Sequence, residues 1–243
     1  FVDEGLGVFR FFPVKRLNGL VREALDFPGE VKLAIADMNK MSDEQLLSHL
    51  QGMDGLIFAA GIDDRVVPKA PAYPFFYEGN VVATERILRL AKQAGVKRAV
   101  IFSSYFVACH RMWPEMKLAE KHPYIRSRVE QIEAAIAVAG DEMVVNFLAL
   151  PYIFGAMPGR MPLWEPLLKY LEGNSSWIFY PAGGSAMVAV EEVASAAVGA
   201  LERGEKNTLY EVAAENLTWV EFLTRLGAFL NKPKKIITLP KWV

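Results

Sequence analysis

Short runs of almost uninterrupted apolar residues, set between amphipathic stretches, constrain this chain more than any other feature. Val31–Ala36, Gly55–Ala60, Arg98–Phe102 and Met143–Leu150 are such runs, and Val8–Phe12 is a further strand candidate. A strand with one wet face alternates polar and apolar residues. A strand that is apolar throughout is covered on both faces, the pattern of a parallel sheet between helices. Helical spacing fills the intervals: 17–27 (Leu17, Leu20, Val21, Ala24, Leu25), 79–94 closed by Gly95, 122–139 and 191–203. Ser42 with Gln45, and Thr218 with Glu221, have the spacing of capping boxes and mark two further helix starts. The alternation predicts an α/β fold, a doubly wound parallel sheet over residues 1–150. A small C-terminal part over 151–243 follows, with some of its segments returning to the sheet. Ligands of such sheets bind beyond the carboxyl ends of the strands.

Composition excludes several classes of function. Twenty-seven Lys and Arg against 28 Asp and Glu leave a net charge of −1, without the basic surplus of a nucleic-acid protein. One cysteine, Cys109, cannot build a disulfide framework or a multi-cysteine metal site. His49, His110 and His122 lack metal-ligand spacing. No apolar run reaches the roughly 18 residues that span a bilayer. The expectation is a cytoplasmic protein acting on a small molecule, with no membrane and no nucleic-acid partner.

Chemistry concentrates around Ser103-Ser104 and Tyr124-Ile125-Arg126-Ser127-Arg128. On a helix, Tyr124 and Arg128 share a face one turn apart. The cation favours the phenolate and is expected to lower the Tyr124 pKa from about 10. The phenol then exchanges a proton with a carbonyl or alcohol while a serine hydroxyl holds its oxygen. A solvated tyrosine with an arginine one turn away is the plainer reading of the same pair.

The wider motif set resembles the extended branch of the short-chain dehydrogenase/reductases, the NAD-dependent epimerase/dehydratase family. Asp37-Met38 resembles the adenine-contacting acid–hydrophobic pair, and Ala59-Ala60-Gly61 the small residues over which the cofactor lies. Asn80-Val81-Val82-Ala83-Thr84 is similar to Asn-Val-x-Gly-Thr, and Ser103-Ser104-Tyr105-Phe106-Val107 to Ser-Ser-x-x-Val. Tyr124–Arg128 matches Tyr-x-x-Ser-Lys except at its last residue. Pro151-Tyr152-Ile153-Phe154-Gly155 resembles the nicotinamide-contacting Pro-x-x-Tyr-Gly, and Val190–Ala194 resembles Val-x-Asp-Val-Ala.

The resemblance implies an NAD(P)-binding Rossmann domain with Ser104, Tyr124 and Arg128 as catalytic residues. It implies cofactor contacts from Asp37, Met38, Ala59, Ala60, Gly61, Asn80, Ser103, Tyr124, Arg128, Pro151, Tyr152 and Ile153. It also implies a homodimer through the helices at 81–94 and 122–139, with Ala134, Ala135, Ile136 and Val138 serving either that face or the core.

The chain departs from the family in three places. The glycine-rich phosphate loop is absent; Phe1–Gly5 reads as the end of the helix that follows it, so about 20 residues are expected to precede Phe1. Arg128 replaces the family lysine, and the planar guanidinium is not a conservative exchange for an ammonium. Gly183–Val188 lacks the arginine with which nucleotide-sugar enzymes hold a diphosphate.

Lys15 and Arg16 follow the second strand where an NAD-binding protein would carry an acid, which favours NADP over NAD. His110 and Trp113 are expected to line a substrate pocket, and Arg160 either binds an anionic group or faces solvent. Tyr73, Phe75, Phe76, Tyr77, Trp113, Tyr152 and Trp164 fall in expected loops and suggest an apolar or aromatic substrate. The leading expectation is reduction of a small carbonyl with NADPH. A non-catalytic nucleotide-binding sensor or assembly protein is the alternative, and an NAD-dependent epimerase or dehydratase ranks below both.

Overall fold

The computed structural model describes residues 6–9, 17–21, 31–155, 164–173 and 175–239, with side chains described from residue 34 onward. Its first six strands are β1 (Leu6–Phe9), β2 (Leu17–Val21), β3 (Val31–Ile35), β4 (Gly55–Phe58), β5 (Arg98–Ser104) and β6 (Val144–Leu150). The later ones are β7 (Tyr152–Phe154), β8 (Trp177–Pro181), β9 (Gly184–Ala189), β10 (Thr208–Glu211), β11 (Glu215–Thr218) and β12 (Lys235–Leu239). The helices are α1 (Asp43–Leu50), α2 (Tyr73–Phe76), α3 (Ala83–Gln93), α4 (Tyr105–Met112) and α5 (Leu118–Lys121). They continue with α6 (Pro123–Ala139), α7 (Glu165–Glu172), α8 (Val190–Arg203) and α9 (Trp219–Phe229).

The chain divides into two compact units. The larger holds Val2–Leu150 and Ala194–Glu211; the smaller holds Pro151–Val193 and Val212–Val243. A seven-stranded sheet ordered β10-β6-β5-β4-β1-β2-β3 runs through the larger. Neighbours from β10 to β4 are parallel, as are β2 and β3. The fold is α/β with a mainly parallel sheet flanked by helices.

Two expectations are corrected here. The sheet is not parallel throughout, because β1 is antiparallel to both β2 and β4. The helix expected over 17–27 begins instead as strand β2. Asn18 and Gly19 are poor helix formers, Gly by about 1 kcal/mol against Ala, and apolar residues over so short a stretch fit either period. The remainder of that segment and residues 10–16 lie outside the described residues, as does Phe1–Gly5.

The core of the larger unit packs on β4, β5 and β6. Leu56, Phe58, Ala99, Ile101, Val145 and Phe147 are fully buried, covered by Leu46 and Leu50 of α1, Ile87 and Leu88 of α3, and Ala135 of α6. Ile136 and Val138 pack against this core as well. Four-residue β4 has no exposed position, as a strand covered on both faces requires.

In the smaller unit a three-stranded sheet (β11-β9-β7) and a two-stranded one (β12-β8) surround a core of Leu171, Ile178, Met187, Phe222 and Leu223. Both capping boxes form: Ser42 Oγ accepts from Gln45 N at 3.3 Å, and Thr218 Oγ1 from Glu221 N at 3.2 Å, with the reciprocal bonds present. Thr218→Ala removes the cap of α9, which carries Phe222 and Leu223 into that core. The expected cost is about 1 kcal/mol, read as a fall in Tm of about 2–4 °C in a thermal melt.

Candidate active site

The parallel strands β4, β5 and β6 end at one rim. β4 runs out into Ala59-Ala60-Gly61, and the aligned β5 ends at Ser103-Ser104. Ser104 is both the last residue of β5 and the N-cap of α4, where its Oγ accepts from Phe106 N at 3.2 Å. From the other side α6 opens at Pro123, whose fixed φ and missing N–H suit a first turn. That first turn carries Tyr124, and the next carries Arg128.

Ser104, Tyr124 and Arg128 are all buried, at 6%, 5% and 6% exposure. The Tyr124 ring is boxed edge-on by Phe76 at 5.6 Å, Phe106 at 6.5 Å and His122 at 6.3 Å. Ile62, Leu118 and Ala119 complete its apolar surroundings. The Arg128 guanidinium carbon lies 5.9 Å from the ring centroid.

The expected lowering of the Tyr124 pKa is overturned. Burial in the aromatic box pushes the phenol above its ordinary value, and it outweighs the opposing pull of Arg128 and of hydrogen bonding with Ser104. Asp63 and Asp64 push it further up. Desolvation is the larger effect because the ring is buried among apolar and aromatic side chains.

Arg128 turns toward main chain and amide instead. Its Nη2 donates to Phe102 O at 2.7 Å and its Nη1 to Asn80 Oδ1 at 3.2 Å, while Nε is buried with no partner among the described residues. Asn80, fully buried, sits in a π-helical turn over Tyr77–Val82, and π turns within helices are frequent at functional sites. Its amide clamps Ile62 from both sides, accepting from Ile62 N at 2.8 Å and donating to Ile62 O at 3.1 Å. Asn80 Nδ2 also donates to Ser127 Oγ at 3.1 Å. Thr84 Oγ1 donates to Asn80 O at 2.7 Å and accepts from Gln131 Nε2 at 2.8 Å. A buried polar ladder thus joins this turn and α3 to α6.

Other expected site residues are less closely gathered. Gly61 is at the centre: a Cβ there would stand 2.9 Å from Arg128 Nη1 and 3.0 Å from Asn80 Oδ1. Ala59 and Ala60 precede it on the same half-exposed rim. Ser103 Oγ is buried without a hydrogen-bond partner among the described residues. Asp37 caps the turn after β3, accepting from Asn39 N at 3.0 Å. The Met38 side chain belongs to the core, and its carbonyl accepts from Arg86 Nη1 at 3.0 Å.

His110 lies within α4, whereas Trp113 follows that helix in an irregular link, 42% exposed. His122, not His110, touches Tyr124. Tyr73, Phe75 and Phe76 are likewise helical, in α2, where Tyr73 Oη donates to Glu130 Oε2 at 2.5 Å and ties α2 to α6. Pro151, Tyr152 and Ile153 fall in the smaller unit. There Tyr152 meets Trp164 at 5.3 Å and Trp219 at 5.8 Å, and Trp164 Nε1 donates to Ile153 O at 3.1 Å. Lys15, Arg16 and Arg160 lie outside the described residues.

Sequence reasoning missed the aromatic box and the ladder. Ser127 and Gln131 stand three and seven residues past Tyr124, on its helix face. A polar stripe on that face, continuous with Arg128, was the available signal.

No protein-family model and no curated protein sequence matches the chain, but solved structures match its fold. It is similar to MoeE5 in complex with UDP-glucuronic acid and NAD, with 18% identity and a TM-score of 0.66 over 92% of this chain and 77% of that one. It is similar to DesIV, a dTDP-glucose 4,6-dehydratase from Streptomyces venezuelae with NAD bound, at 19% identity and a TM-score of 0.65 over 88% and 69%. A UDP-N-acetylglucosamine 4-epimerase from Bacillus cereus matches at 12% identity and a TM-score of 0.67 over 90% and 75%. The fold is that of these Rossmann-type proteins. Among the described residues no helix is long and apolar enough to cross a membrane.

Proposed function

We propose that this chain is a member of the extended short-chain dehydrogenase/reductases that reduces a small carbonyl compound with NADPH. The observation that carries the reading is the convergence of Ser104 and Tyr124, from the end of β5 and the start of α6, at the strand-end rim where such sheets bind ligands. Supporting a ligand at this rim, Ser103 offers a buried hydroxyl with no partner among the described residues. Asp37, Met38, Ala59, Ala60, Gly61, Asn80 and Ser103 would hold the cofactor, with Lys15 and Arg16 at a 2′-phosphate. NAD is the second choice of cofactor. The bound nicotinamide supplies a hydride. Ser104 holds the substrate oxygen, and Tyr124 gives it the proton. The box of Phe76, Phe106 and His122 favours an apolar or aromatic substituent. A homodimer through α3 and α6, and a cytoplasmic location, belong to the same reading.

The non-catalytic nucleotide-binding alternative is favoured by one observation: Arg128 is spent on Phe102 O and Asn80 rather than on activating the phenol. Titration of the protein with NADPH and NADH, followed by a carbonyl screen, separates the two readings. NADPH binding well above NADH binding is expected. That preference is expected to disappear in the Lys15→Ala, Arg16→Ala double variant; binding of neither nucleotide would defeat both readings.

A further inference from the structure

Arg128 is a buried cation without a counter-ion among the described residues. Its side chain makes two hydrogen bonds, to Phe102 O and Asn80 Oδ1, although a guanidinium has five N–H donors. Its Nε has no partner, and no ion pair to Arg128 exists among the described residues. Asp63, the carboxylate whose charge acts on Arg128, is committed elsewhere. Its Oδ1 accepts from Arg65 N at 2.9 Å and its Oδ2 from Arg65 Nε at 2.7 Å. A charge held out of water is costly unless it is paired, and carbonyl dipoles meet only part of that demand.

Gly61 packs directly on this guanidinium. The half-exposed glycine follows β4 at the strand-end rim, and a Cβ on it would lie 2.9 Å from Nη1 and 3.0 Å from Asn80 Oδ1, so only glycine leaves those two side chains their space beside the rim. The neighbouring Ser103 hydroxyl, also buried and unpartnered, is a second donor at the same rim.

We infer that Arg128, beside Gly61 at the strand-end rim, is the receptor for an oxyanion, a carboxylate or phosphate carried by the ligand. The inference deepens the proposed function and rests on it for the identity of that ligand: a carboxylate would come from the carbonyl substrate, a phosphate from the nucleotide. A lysine at this position would offer a point charge. The planar fork of arginine suits a two-oxygen group.

The test is a thermal melt of the full chain in acetate, in inorganic phosphate and in chloride at equal ionic strength. Acetate or phosphate at about ten times its Kd is expected to raise Tm by about 2–5 °C over chloride. The rise is expected to vanish in Arg128→Gln, to persist in weakened form in Arg128→Lys, and to be lost in Gly61→Ala. NADPH added to saturation then assigns the source. A phosphate effect it abolishes belongs to the nucleotide, and an acetate effect that survives belongs to the substrate. Equal melting in all three salts, or a rise retained in Arg128→Gln, overturns the inference. NADPH binding without an anion effect defeats this inference alone. An anion effect without NADPH binding defeats the proposed function alone.

Discussion

Tyr124→Phe is expected to remove carbonyl reduction while leaving NADPH binding and Tm near those of the parent. The ring stays, and with it the edge-on contacts to Phe76, Phe106 and His122. Only the hydroxyl goes, and a positioned general acid contributes about 10²–10⁴-fold to rate. A loss of that size in kcat, with KM for NADPH unmoved, is the expected result of steady-state assays; a variant with parental kcat would remove Tyr124 from the mechanism.

The direction of the Tyr124 shift adds a pH signature. A phenol raised above its ordinary value of about 10 stays protonated across the neutral range. It is thus ready to give a proton in reduction and ill suited to take one in oxidation. Reduction is expected to hold its rate up to at least about pH 10 as far as this group is concerned, and alcohol oxidation to rise only above that. An oxidation profile already at its plateau near pH 8 would mean that a bound ligand lowers the phenol.

What could be read from sequence divides along physical lines. The predominantly apolar β4, β5 and β6 announced themselves because burial on both faces leaves no alternating pattern. The two capping boxes were legible because the motif is local: side chain and amide lie three residues apart. Ser104, Tyr124 and Arg128 could be nominated because their spacing matches a known family. How Arg128 points could not. Its partners, Phe102 O and Asn80 Oδ1, lie 26 and 48 residues away, and the balance between desolvation and charge at Tyr124 depends on a box closed by α2, α4 and α6. The strand at Leu17–Val21 failed for a different reason: five residues are too few for a period to show, and its pairing with β1 and β3 decides its state.

Asn80 is where fold and site depend on each other most. Asn80→Ala removes four hydrogen bonds at once, to Ile62 N, Ile62 O, Ser127 Oγ and Arg128 Nη1. Each buried group left unsatisfied costs about 1–3 kcal/mol, and one of them is a cation already short of partners. A combined loss of about 3–5 kcal/mol is expected, at the upper end for a point substitution. In a thermal melt that is a fall in Tm on the order of 10 °C.

Asn80→Asp separates the parts of this effect. The carboxylate still accepts from Ile62 N and Arg128, but it cannot donate to Ile62 O or Ser127 Oγ. It also gives Arg128 the counter-ion it lacks. Its loss of stability is therefore expected to be smaller than that of Asn80→Ala. Its Tm is expected to be indifferent to acetate and phosphate, because the guanidinium is then paired within the protein. A full anion response in Asn80→Asp would place the oxyanion elsewhere than on Arg128. Equal melting of the Ala and Asp variants would mean that the two donated bonds, and not the charge on Arg128, are what hold α6 against the π turn.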